Sequence, residues 1–167
     1  MMRRRPGAAA SGSVPAVVEV SDEQDDVALD APALATLAEA VLAAEGVRGP
    51  AELSLTFVAA EVIAELNAEH LGESGPTDVL AFPLDDPAES RPAGMVALLG
   101  DVVVCPSVAQ RYAAANGRST EHELALLVVH GVLHVLGHDH AEPDEAARMI
   151  DHERRHLRAL VDPSFER

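Results

Sequence analysis

The sequence predicts an α+β fold, a small mixed β-sheet packed with helices around one central, buried helix. Two observations predict it. Short β-branched or alternating apolar runs take turns with longer stretches of helical periodicity. One of those stretches, Leu124 to Val135, is apolar nearly all round, a pattern that belongs to a helix enclosed by other elements.

The elements follow in order. Val14 to Val20 reads as a first strand and Ser21 to Asp26 as an acidic linker. Asp30 or Ala31 opens an amphipathic helix that runs to Ala44 and stops near Gly46. Leu53 to Val58 alternates as a strand does, and Glu61 to Leu71 is helical. Gly75-Pro76 turns the chain into a short strand, Val79 to Phe82. Asp85 to Gly94, interrupted by prolines, is a loop, and Met95 to Val104 is a strand. Pro106 or Ser107 starts a helix through Asn116. Ser119 or Thr120, with Glu123 in capping-box register, begins the central helix. Pro143 to Leu160 forms the last one. Strand order does not follow from this pattern.

The 167 residues suit one domain, expected over residues 15–167. Residues 1–14 are expected to be a disordered tail. Its start, Met1-Met2-Arg3-Arg4-Arg5, imitates a signal peptide, but the small residues that follow lack the required apolar core. No apolar run reaches the ~18 residues of a membrane span. Cys105 is the only cysteine, so no internal disulfide forms and a cysteine-rich structural metal site is excluded. The formal charge is -16, and all the basic residues are arginine. Such a chain has no long-range attraction for a polyanion, so nucleic-acid binding would draw on local arginines, a metal, or a basic partner.

Half of the eight histidines fall in the run His130-Gly131-Val132-Leu133-His134-Val135-Leu136-Gly137-His138-Asp139-His140. His130 and His134 are four apart, on one face of the central helix. Both rings can reach one ion at about 2.0–2.1 Å, the usual zinc–nitrogen distance. His138 continues the step of four, but three rings in a straight row would span about 12 Å along the axis. The chain must turn back, and Gly137 supplies the turn. His140 then folds over the ion. The expected ligands are His130, His134 and His140, with one zinc per chain and His138 outside the set. Three protein ligands leave a fourth position open, as in catalytic zinc sites.

The spacing His-x-x-x-His-x-x-Gly-x-x-His is shared with metzincin proteases, whose second position is a glutamate base. Here it is Gly131, so the usual peptidase base is missing.

The same run resembles the signature of the YbeY endoribonuclease family, His-Gly-x-Leu-His-Leu-x-Gly-Tyr-Asp-His. Leu66-Asn67, the segment Thr77-Asp78-Val79-Leu80-Ala81-Phe82-Pro83, and Gly100-Asp101-Val102 resemble that family's other motifs in order and spacing. The resemblance covers roughly residues 15 to 160. It implies a zinc-dependent endoribonuclease of the bacterial cytoplasm. It also implies maturation of ribosomal RNA, notably the 16S 3′ end, and ribosome quality control, with RNA and the ribosome or its proteins as partners. Two departures stand out. Leu71 takes the place of an arginine that contacts phosphate in many members, and His138 replaces a tyrosine.

A bound zinc would supply an activated water; the general base is open among Asp139, Asp78 and Asp101. Asp139 could instead orient a histidine, Asp78 cap a turn, and Asp101 make a strand-edge contact. Thr77 could donate to phosphate or cap the same turn, and Asn67 could hold a loop backbone. Two rival functions fit the same residues: a metzincin-like metallopeptidase, and a non-enzymatic ribosome-assembly factor with a structural metal.

Overall fold

A computed structural model describes residues 14–166; the expected tail therefore lies outside the described residues, apart from Val14. The order is β1 (Val17–Asp22), α1 (Ala31–Ala44), β2 (Ala51–Phe57), α2 (Ala60–Leu71), β3 (Val79–Pro83), β4 (Ala97–Val104), α3 (Pro106–Ala115), α4 (Thr120–Val135) and α5 (Pro143–Leu160).

The strands form one mixed sheet in the order β1-β2-β4-β3. β1, β2 and β4 run parallel, and β3 pairs antiparallel with β4 at one edge. β2 alternates strictly: Ala51, Leu53, Leu55 and Phe57 are buried, while Glu52, Ser54 and Thr56 are half-exposed. The buried side faces α1 and α4 in the main core. On the other side, α2 closes a smaller cluster in which Ile63 meets Leu80, Val103 and Val108.

α4 is the enclosed helix that the sequence predicts. Val128, Val129, Val132 and Leu133 are fully buried, each such side chain stabilising the fold by about 1.5–3 kcal/mol. It packs against α1, α3 and α5 and lies on β3 and β4. Gly131 permits that close approach. A Cβ there would sit 2.5 Å from Val102 Cγ1, and Val102 is itself fully buried and β-branched, with no room to yield. Gly131→Ala is therefore expected to destabilise the protein. Overpacking costs about 1–3 kcal/mol, and the better helix propensity of alanine recovers only about 1 kcal/mol. Urea unfolding checks this: a midpoint at or above the wild-type value would contradict the packing account.

Several local expectations need correction: β1 begins at Val17 rather than Val14, and β4 at Ala97 rather than Met95. Ser21 and Asp22 belong to β1, because they pair with Thr56 and Phe57 of β2; the ladder extends a strand that propensity would end at Val20. No capping box forms on α4. The N-cap is Ser119, whose side chain accepts from the His122 N–H at 3.1 Å, and this leaves Glu123 one residue too late. Glu123 instead binds Arg118 at 2.9 Å.

Candidate metal centre

α4 brings His130 and His134 to one face, with ring centroids 4.7 Å apart. The helix then ends in a Schellman motif. Gly137 N–H donates to the His134 carbonyl at 3.0 Å, and His138 N–H donates to the Leu133 carbonyl at 3.0 Å. Gly137 carries φ +99°, a conformation that disfavours any side chain. The reversal carries His140 back over the helix, with ring centroids 5.7 Å from His130 and 4.9 Å from His134. The Asp139 carboxylate accepts from the His140 N–H at 2.7 Å and so shapes the same turn.

One ligand nitrogen from each of the three rings lies within 4.8 Å of the others. Ligands on a tetrahedral ion sit roughly 3.3–3.4 Å apart, so side-chain torsions can close the remaining gap. The donor set of imidazoles suits a transition metal. The three rings line a cavity of about 390 Å³ whose other walls are β3 (Val79 to Phe82) and His70 and Leu71 of α2.

His130 is anchored from behind by Glu153 of α5, which binds its Nδ1. Glu153 is fully buried. This fixes the ring and directs Nε2 toward the cavity, the carboxylate–histidine arrangement found behind many metal ligands. Sequence reasoning missed Glu153. A signal was present: it shares the inward face of an amphipathic helix with Met149, His156 and Leu157, where a carboxylate needs a partner.

His134 is neutral at pH 7. Burial foremost, then the charges of His130 and His140, push its pKa down from 6.5 to about 4. A neutral ring presents the lone pair a metal needs. Because the folded value lies below the unfolded one, the stability tied to this group is full above about pH 6.5 and lost as pH falls toward 4. Metal-free wild type is expected to lose more stability between those limits than His134→Ala. Parallel urea-midpoint profiles for the two would refute this.

The other sequence-predicted residues stand apart from the rings. Asp78 folds onto its own backbone, accepting from Val79 N–H at 2.8 Å, and Thr77 Oγ1 lies 3.4 Å from its carboxylate. Asp101 is on the interior strand β4 rather than at a sheet edge. Its side chain shares the α2 face with Val103 and lines a different groove, beside Ser54 and Thr56. Asn67 donates to the Gly75 carbonyl at 3.0 Å and so holds the loop leading to Thr77. His138 points away from the triad, toward Glu45 and His152. Leu71, exposed at the cavity wall, offers no group for a phosphate, and no arginine lines the cavity among the described residues.

The family model described as endoribonuclease YbeY matches residues 19–161. A relative named endoribonuclease YbeY from Salinispora tropica is 46% identical over 140 residues, covering 80% of this chain and 88% of the relative. Its counterpart from Beutenbergia cavernae is 47% identical over 142 residues, covering 83% and 93%. A solution structure of a Thermotoga maritima protein shares the fold, with a TM-score of 0.58 at 24% identity over 89% of this chain and 99% of that one. The histidine run, the Leu-Asn pair, the Thr-Asp segment and the Gly-Asp strand all lie inside the matched span, and the chain belongs to the endoribonuclease YbeY family.

Proposed function

We propose that this protein is a zinc-dependent endoribonuclease that cleaves single-stranded RNA during ribosomal RNA maturation. The observation that carries the reading is the convergence of His130, His134 and His140 on one cavity in a chain of this family. In this reading the three rings hold one zinc ion. His130 binds through Nε2 with Glu153 behind it, His134 binds as the neutral imidazole, and His140 arrives on the turn at Gly137. A zinc ion held by these rings would supply Lewis-acid activation of a water near neutral pH. The chain's own residues orient and enclose. Phe82, in ring contact with His70 at 4.9 Å, forms an apolar wall, and Asp139 keeps the turn in shape.

Among the described residues no arginine lines the cavity, and Leu71 stands where the family motif carries one. The overall charge of -16 likewise favours a substrate presented in a basic context, such as the 3′ end of 16S rRNA on the ribosome. Ribosome quality control and a cytoplasmic setting belong to the same proposal. No described helix is long and apolar enough to cross a membrane.

A metallopeptidase reading has little support. Position 131, where such enzymes carry their glutamate, faces Val102 of the sheet and has no space for any side chain. The test is cleavage of a single-stranded ribosomal RNA precursor and of casein by the same zinc-loaded protein, with and without chelator. RNA cleavage abolished by chelator and restored by zinc is expected, with casein intact. Intact RNA under all conditions would overturn the proposal.

A further inference from the structure

We propose that Glu45, His138 and His152 form a second transition-metal site that clamps the turn carrying His140. These residues come from three elements: the C-cap of α1, the turn after α4, and α5. Ligand atoms from all three lie within 4.8 Å of one another. Glu45 Oε1 binds His152 Nδ1 at 3.1 Å, Glu45 Oε2 lies 3.7 Å from His138 Nε2, and the two histidine rings are 4.5 Å apart. The side chains are sheltered but reachable, at 16% exposure for Glu45, 27% for His138 and 28% for His152.

The surroundings favour a cation. Glu45 caps the C-terminus of α1, where the last carbonyls of the helix already create a negative potential. Buried His156 binds the same carboxylate through Nε2 at 2.6 Å and holds it in place. Two imidazoles and one carboxylate select zinc, cobalt, nickel or copper over magnesium and calcium, which demand oxygen ligands. His138 and His140 share the short turn after Gly137. An ion on His138 ties that turn to α1 and α5 and thereby fixes the direction from which His140 enters the cavity. The site arises where this chain carries His138 in place of the tyrosine of the motif it resembles.

This proposal does not depend on RNA cleavage or on occupancy of the triad. Full-length protein is stripped with chelator, reloaded with zinc, desalted, and analysed for metal per chain, with melting curves to verify folding. Wild type is expected to retain two zinc ions, one for each histidine group. His152→Ala and His138→Tyr should each retain one. The double variant His130→Ala/His134→Ala should also retain one, and adding His152→Ala should remove it. A single zinc in wild type that the His130→Ala/His134→Ala variant loses would overturn the proposal. So would a second zinc that survives both His152→Ala and His138→Tyr, which would place it elsewhere. Should the double variant fail to fold, the two single variants decide the outcome. Magnesium or calcium bound at this site in place of zinc would equally refute the assigned ligand chemistry.

Discussion

His134→Ala is expected to abolish RNA cleavage and the metal bound by the triad while leaving the metal-free fold intact. Loss of an outer partner of a metal ligand already costs about 10–100-fold in affinity or activity, so loss of a ligand should exceed about 100-fold. His134 sits in the middle of the site, within ring contact of both His130 and His140. Its neutral ring is an asset to metal binding and a liability in acid, because burial and its neighbours oppose its protonation. The variant should therefore fail as an enzyme and yet hold its stability better than wild type as the pH is lowered. Cleavage assays with urea unfolding at two pH values read both effects. A variant that still cleaves at wild-type rate would remove His134 from the site.

Glu153 should show the second largest effect, through a different route. It touches no position where RNA could lie; it is fully buried and holds His130 Nδ1. Glu153→Gln keeps the shape and an acceptor oxygen but removes the charge that makes His130 a stronger donor. Zinc affinity is expected to fall about 10–100-fold, and excess zinc should restore most of the cleavage. That rescue separates a positioning residue from a ligand, since excess zinc cannot rescue His134→Ala. Glu153→Ala also leaves a cavity and an unpaired ring nitrogen, and should cost about 3 kcal/mol or more of stability. If Glu153→Gln binds zinc as tightly as wild type, the orienting role is wrong.

Local signals made much of this protein legible before its structure. Asp30, Pro106, Ser119 and Pro143 sit at helix starts because each supplies either a cap or a preset φ, and these starts fall where the residues place them. The convergence of His130, His134 and His140 was readable for the same reason. It needs only a helical step of four and a glycine reversal, both encoded within eleven residues. What depends on distant pairing was not readable. β1 continues through Ser21 and Asp22 only because β2 lies beside it, and the order β1-β2-β4-β3 has no local signature. Glu153 stands 23 residues from His130, and Glu45 is 107 and 111 residues from His152 and His156. No spacing rule links such pairs, and only the packing of α5 against α4 and α1 brings them together. The aspartates show the converse limit. Asp78 and Asp101 fall in segments that resemble the family's motifs, yet one serves its own turn and the other faces the far side of the sheet.

Anomalous diffraction at the zinc edge, on crystals of the zinc-loaded protein, tests the triad most directly. A peak about 2.0–2.1 Å from one nitrogen each of His130, His134 and His140, with Glu153 on the far side of the His130 ring, is the predicted result. An RNA-cleaving sample with no peak between those rings would contradict it.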